Sequence, residues 1–302
     1  MRASSLVKLS YWGLRALLFR RDSPLVGSVI LTDRCNLSCR HCTVNNITSV
    51  IYPYAQIRKD MQALYSDGVR VIFFYGGEPF LWHDGAMSLQ DLVKEARKMG
   101  FLFVNIVTNG TFSLTLPEAD LILVSLDGPQ AIHDRIRGDS FDTVLANISK
   151  SGSRNICVYM SINQINKNDI ESTCEIVAAL PTVRAISFNF HTPYAGVEDL
   201  QLNRAEKQLC VNRIEDLMDQ GYSILNLRSA FPYIVDNSFR TPCNQCVIIE
   251  NGERWLCGRC VDVPGLCAQC GFFFPAELSL VFDFHIPVMI DMLRTYAKCL
   301  WE

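Results

Sequence analysis

Between residues 28 and 190, short runs of β-branched and aromatic residues alternate with longer stretches in which apolar side chains recur every three or four positions. The runs at 28–31, 69–75, 101–108, 121–125, 155–162 and 184–190 predict strands. The stretches at 54–66, 89–99, 141–151 and 169–180 predict helices between them. Strands joined through helical crossovers predict a parallel, curved α/β sheet, because such crossovers are right-handed and cover the sheet. Loops leaving the carboxyl ends of the strands are then where chemistry gathers.

The flanks read differently. Residues 1–21 carry Arg2, Lys8, Arg15, Arg20 and Arg21 without an acidic residue, interleaved with Leu, Val, Tyr, Trp and Phe. This predicts a helix with a basic face and an apolar face, a pattern shared by membrane-surface helices and by helices that cap a barrel. Residues 203–219 predict an amphipathic helix, and the apolar tail carries a helical pattern over 288–300. Between them, 247–256 predicts a hairpin turning at Asn251-Gly252. The expected division is a terminal helix (1–26), the α/β unit (27–238), a cysteine-rich module (239–271) and an apolar terminal helix (272–302).

A chain of 302 residues that is 49% hydrophobic can bury a large core. Its net charge of −3 argues against nucleic acid as a partner. No apolar run reaches membrane-spanning length, because Arg15 interrupts the early one. Of thirteen cysteines, nine fall in short Cys-x2-Cys or Cys-x3-Cys groupings, the signature of metal ligation more than of disulfides, and a reducing, oxygen-poor cytoplasm is the expected setting. Cys157, Cys174, Cys210 and Cys299 stand alone on apolar stretches, as buried cysteines do.

The chemistry centres on Cys35-x3-Cys39-x2-Cys42, directly after the first predicted strand. Structural zinc and cubane iron–sulfur clusters normally take four protein ligands, so a three-thiol loop suggests one metal position left open. With its "CNLSC" context and preceding strand, the loop resembles that of the radical SAM superfamily, and the resemblance extends over about residues 28–270. It implies a partial (β/α)6 barrel in which Cys35, Cys39 and Cys42 hold a 4Fe-4S cluster whose open iron binds S-adenosylmethionine (SAM). Reduction by a flavodoxin- or ferredoxin-type donor would then cleave SAM to a 5′-deoxyadenosyl radical that takes hydrogen from a substrate. Gly76-Gly77-Glu78-Pro79 resembles the family segment that contacts the SAM amino group. Thr108-Asn109-Gly110, Ser125-Leu126-Asp127-Gly128 and the following His133-Asp134-x-x-Arg137-Gly138 resemble further family segments, and Ser161 matches a polar position after the fifth strand. The resemblance thus implies Gly76, Gly77, Glu78, Asn109, Ser125, Asp127 and Ser161 as cofactor contacts.

A second field holds Cys243-x2-Cys246, Cys257-x2-Cys260 and Cys267-x2-Cys270. Its hairpin and Gly252-x4-Cys257 resemble SPASM and twitch modules, implying one or more auxiliary 4Fe-4S clusters. The spacing alone equally describes a zinc ribbon, and six cysteines within 28 residues depart from the seven of the full SPASM pattern. Two substrates fit: a peptide, favoured by the SPASM-like module, and a small or lipidic molecule, favoured by the apolar ends, with peripheral membrane contact. A non-catalytic zinc or iron–sulfur binding module is the alternative of a different class.

Overall fold

The computed structural model describes residues 3–19, 23–42, 47–152 and 155–301, with side chains from Tyr11 to Tyr296 within those spans. Arg2, Lys8, Arg20, Arg21 and Cys299, named above, lie outside the described side chains.

Six strands, β1 (Val26–Ile30), β2 (Val71–Tyr75), β3 (Phe103–Thr108), β4 (Leu121–Ser125), β5 (Ile156–Ile162) and β6 (Val183–Phe190), pair in parallel in sequence order. Helices α1 (Ala3–Phe19), α2 (Tyr54–Ser66), α3 (Leu89–Met99), α4 (Gln130–Arg137), α5 (Phe141–Lys150) and α6 (Ile170–Ala178) precede or connect them, and α7 (Arg204–Asp219) follows the last strand. Local chemistry supports these boundaries. Ser88 and Asp91 form a capping box that starts α3, and Gly100, at φ +99°, ends it in a conformation that favours glycine.

Strand alternation separates two faces. Val29, Ile72, Phe74, Val104, Ile106, Ile122, Val124, Val158, Met160, Ile186 and Phe188 are buried in one continuous core. Ser28, Phe73, Tyr75, Leu123, Tyr159, Ser161 and Ser187, on the opposite face of the same strands, are only half-buried. A sheet apolar toward its helices and mixed on the other face has a covered outside and a usable inside.

The cysteine-rich segment is built onto this sheet. Strand β7 (Cys246–Glu250) pairs in parallel with β1, and β8 (Glu253–Leu256) returns antiparallel to β7. Asn251 and Gly252 turn the hairpin with positive φ at both positions, as a type I′ turn requires. From there the chain crosses to the far edge, where the Phe190 amide donates to the Gly271 carbonyl at 2.9 Å and the Gly271 amide donates to Thr192 Oγ1 at 3.0 Å. The segment therefore spans the side on which a six-stranded barrel remains open.

The apolar tail closes the rest. After the short α8 (Phe231–Val235), helix α9 (Phe273–Phe282) packs Phe273 edge-on against Phe190 at 4.9 Å and Phe231 at 6.0 Å, while Phe274 reaches Phe73 at 6.1 Å. Helix α10 (Ile286–Trp301) brings Tyr296 against the buried cluster of Cys157, Ala185 and Leu225, on which Leu121 and Leu123 also pack, and this gives the inner face a floor. Cys157, Cys174 and Cys210 are buried. No helix among the described residues is long and apolar enough to cross a membrane.

Candidate functional site

The three-cysteine loop leaves β1 and lies along the chain leaving β2. Leu31 donates its amide to the Tyr75 carbonyl at 3.0 Å, Gly77 to Thr32 at 2.8 Å and Glu78 to Arg34 at 2.9 Å. The approach is so close that a Cβ on Gly76 would meet the Thr32 carbonyl oxygen at 2.2 Å. The glycine pair is therefore required first by contact with the cysteine loop itself. Thr32 and Asp33 secure the loop's far side: Thr32 Oγ1 donates to the Val50 carbonyl at 2.5 Å, and Asp33 accepts from the Thr48 hydroxyl at 2.7 Å.

All three thiols are half-buried. Cys35 Sγ accepts from the Leu37 amide at 3.5 Å and from Asn109 Nδ2 at 3.7 Å. Cys39 Sγ accepts from Arg137 Nη1 at 3.8 Å. Burial pushes the Cys39 thiol up to about 11; Arg137 opposes this, while Cys42 and Cys35 add to it because each would be a neighbouring negative charge.

Two of the residues expected to face the cofactor, Glu78 and Asp127, are buried and hydrogen-bonded within the protein. Glu78 is fully buried, and its carboxylate accepts from the Phe80 amide at 3.1 Å, Thr108 Oγ1 at 2.8 Å and the Asn109 amide at 2.8 Å. Burial raises this carboxyl to about 7 against those three donors. Asp127 is also fully buried; its Oδ2 accepts from Arg137 Nε at 2.6 Å and its Oδ1 from the Ser161 amide at 2.9 Å. Burial alone would raise the Asp127 carboxyl, but Arg137 and then His41 hold it below the ordinary range. In both cases a carboxylate that must leave water has its oxygens satisfied by the protein.

Asn109 does reach the site: besides Cys35, its Nδ2 donates to Asn36 Oδ1 at 2.9 Å, and its Oδ1 accepts from the Thr111 hydroxyl at 2.7 Å. His133 accepts the Asp127 amide on Nδ1 at 3.2 Å, and Asp134 accepts the Ser140 and Phe141 amides at 3.0 and 2.9 Å at the start of α5. His41, between Cys39 and Cys42, accepts from Arg137 Nη2 at 3.4 Å, and burial lowers its pKa to about 4, so it is neutral with its proton on Nδ1. Spacing alone assigned no role to Asn36, His41, Thr111 or Arg137; the Arg-Gly that ends the His133 segment was the one available signal.

Ser125 and Ser161 carry hydroxyls on the inner face for which no hydrogen bond is found among the described residues. His191 is bound to the Val197 carbonyl at 2.9 Å and is structural.

In the second field Cys243, Cys246, Cys260 and Cys270 are buried, and Cys257 and Cys267 half-buried. The Cys257 thiol is perturbed by its neighbours Cys243 and Cys260, and the Cys260 thiol by Cys257 and the Tyr194 phenol, while Cys267 in turn feels Cys260. Burial pushes Cys270 up to about 12, with Cys260 and Cys267 adding to the rise. Cys246, at the start of β7, senses Cys257. Lys207, itself buried, is the cation near Cys270.

The thiols of each field lie close enough to influence one another. Thiolates crowded in a buried place need positive charge, and the cation beside the first loop, Arg137, is already paired with Asp127. Among the described residues, no group of three His, Cys, Asp or Glu side chains could hold a single metal ion. A zinc ion draws its thiolates to about 2.3 Å of one point, whereas a cubane takes one thiolate per iron.

A parallel partial barrel with a three-thiol loop after its first strand defines an α/β fold built to hold a metal group at the strand ends. Residues 29–177 match the family model of the radical SAM superfamily, and the chain belongs to that superfamily. The superfamily uses a 4Fe-4S cluster and SAM. The chain is 31% identical over 229 residues to Fe-coproporphyrin III synthase of Methanosarcina barkeri, covering 68% of this chain and 55% of that protein. It is 28% identical over 192 residues to the antilisterial bacteriocin subtilosin biosynthesis protein AlbA of Bacillus subtilis, covering 59% and 42%. The chain thus spans about half the length of these curated relatives. Among solved structures, Streptococcus suis SuiB bound to S-adenosylmethionine superposes with a TM-score of 0.65 at 12% identity, over 89% of this chain and 68% of that one. Native anSMEcpe with bound AdoMet and Kp18Cys peptide gives 0.60 at 17% identity, over 92% and 88%. These two likenesses concern the fold.

Proposed function

We propose that this chain is a radical SAM enzyme that modifies a peptide, with its SAM-binding cluster on Cys35, Cys39 and Cys42. The observation that carries this is the three-thiol loop held by Asn109 and Arg137, with free Ser125 and Ser161 hydroxyls on the same barrel face. When bound and reduced, the cluster supplies the electron that cleaves SAM to methionine and a 5′-deoxyadenosyl radical. The protein's part is to bind, orient and exclude water. The Gly77 and Glu78 amides are spent on the cysteine loop, which leaves the Gly76 and Gly77 carbonyls to accept from the SAM ammonium. Ser125 and Ser161 offer hydroxyls to its ribose or carboxylate. The floor formed by Tyr296 and the Cys257-to-Gly271 crossing shield the inner face from solvent.

Cys243, Cys246, Cys257, Cys260, Cys267 and Cys270 supply the ligands of one or more auxiliary 4Fe-4S clusters. A peptide substrate is favoured by the subtilosin relative, by the sporulation killing factor maturation protein SkfB and by the fold shared with SuiB, solved with its precursor peptide SuiA. A second reading, a small or lipidic substrate, is favoured by the Fe-coproporphyrin III synthase relative. The reductant is a flavodoxin or ferredoxin of the cytoplasm. Contact with a membrane surface is favoured by α1, which exposes Tyr11, Leu14, Leu18 and Phe19.

The test is anaerobic reconstitution, followed by iron and sulfide per chain and by 5′-deoxyadenosine release from SAM with dithionite. About eight irons with deoxyadenosine formed supports one closed auxiliary cluster beside the SAM site. No cluster and no deoxyadenosine overturns the enzyme and leaves a metal-stabilised binding module.

A further inference from the structure

Arg137 is buried and distributes its guanidinium over three partners: Nε to Asp127 Oδ2 at 2.6 Å, Nη1 to Cys39 Sγ at 3.8 Å and Nη2 to His41 Nε2 at 3.4 Å. The planar fork fixes these directions together, so the position of the Cys39 sulfur is tied to a carboxylate at the end of β4. Asp127 is itself immobilised. It accepts the Ser161 amide from β5, its own amide donates to His133, and its carbonyl accepts from Asn166 Nδ2 at 3.0 Å. Two imidazoles also stand beside it, and the His41 Nδ1 has no hydrogen-bond partner among the described residues. His41 stands with Nδ1 3.8 Å from Asp127 Oδ2, and neutral His133 is held by Ser140 at 3.0 Å.

An ion pair with both members buried, one member touching a cysteine sulfur, is costly to build and weak as a source of stability. Its placement is informative for a metal centre, because hydrogen bonds to sulfur and nearby charges set the potential of a thiolate-ligated cluster. We propose that the Asp127–Arg137 pair sets the reduction potential of the cluster held by Cys35, Cys39 and Cys42. Arg137 is a positioning residue that withdraws charge from the Cys39 sulfur, and Asp127 limits how much of that cation's field the cluster feels. This rests on the cluster assignment made above.

The two members then act with opposite sign. Arg137→Lys keeps a cation for Asp127 but lacks the second arm to Cys39, so the midpoint potential becomes more negative. Asp127→Asn leaves Arg137 uncompensated, so the potential becomes more positive. Arg137→Gln with Asp127→Asn keeps a neutral hydrogen-bonded pair if either single variant fails to fold, and its potential falls below wild type through loss of the charged donor.

The experiment is an EPR-monitored redox titration of the reconstituted full chain without SAM, in a background that keeps the second cysteine field intact, with the melting temperature of each protein recorded alongside. Opposite shifts in Arg137→Lys and Asp127→Asn support the proposal. Fully loaded variants whose potentials match wild type, or that shift in the same direction, overturn it and leave the cluster assignment standing. A wild-type protein that takes up no cluster overturns the cluster assignment itself.

Discussion

A Cβ placed on Gly77 would lie 2.2 Å from the Arg34 carbonyl oxygen, so β2's exit and the cysteine loop share a space that no larger residue can enter. This contact, at a residue whose amide also donates to Thr32, makes the loop an extension of the sheet. Gly77→Ala forces the loop backbone to move, at roughly 1–3 kcal/mol. We expect a lower melting temperature together with loss of iron from the first site, measured on reconstituted protein. Full iron loading at an unchanged melting temperature would show that the loop yields freely.

Cys39→Ala removes a proposed cluster ligand that is half-buried and outside the apolar core. The far-ultraviolet circular dichroism should match wild type while SAM cleavage disappears. Deoxyadenosine production retained in this variant would mean that the three-cysteine loop is not the SAM site.

Cys257 stands between Cys243 and Cys260 in the second field. Cys257→Ala should lower bound iron by up to about four per chain while leaving the SAM-responsive EPR signal in place, as expected for loss of one four-thiolate cluster. Unchanged iron with zinc lost would reassign this field to a zinc ribbon.

Glu277 on α9 is buried and accepts the Leu227 amide at 2.8 Å; burial raises its carboxyl to about 7, against donors from Leu227 and Asn226. Between the unfolded pKa of about 4.5 and 7, the folded state holds this proton more tightly than the unfolded chain. Stability from this group therefore falls as pH rises through that window and is flat above it. Glu277→Gln removes the loss, so urea unfolding should show the variant gaining on wild type by up to about 3 kcal/mol between pH 5 and pH 8. A constant difference across that range would mean that Glu277 titrates normally.

Leu14 and Leu18 are more than half exposed on one face of α1, and Arg15 beside them is exposed as well. The full chain should co-sediment with vesicles containing anionic phosphatidylglycerol, and Leu14→Glu with Leu18→Glu should reduce the bound fraction severalfold without changing iron content. Equal sedimentation of wild type and variant would remove the membrane surface as the partner of this helix.

Much of the barrel was legible because its signals are local. Strand β4 and helices α2 and α3 stand at the predicted residues, and the Asn251-Gly252 turn is the hairpin expected from its dipeptide. Helix α4 was not predicted: it is short, and its only large aliphatic side chains are Ile132 and Ile136. Helix α9 was hidden in a run so uniformly apolar that periodicity has nothing to register.

The order of strands and helices, the three-thiol loop at a strand end and the crowding of six further cysteines were determined by the sequence alone, because periodicity and spacing are properties of neighbouring residues. Only the tertiary structure decided that β7 joins β1, that the cysteine-rich crossing reaches β6, and that Glu78 and Asp127 face inward as braces while Asn109 and Arg137 reach the sulfurs. Those outcomes depend on which side chains meet after distant segments pack. A carboxylate at a strand end looks the same in sequence whether its oxygens will meet a ligand or be satisfied by a buried arginine ten residues further on.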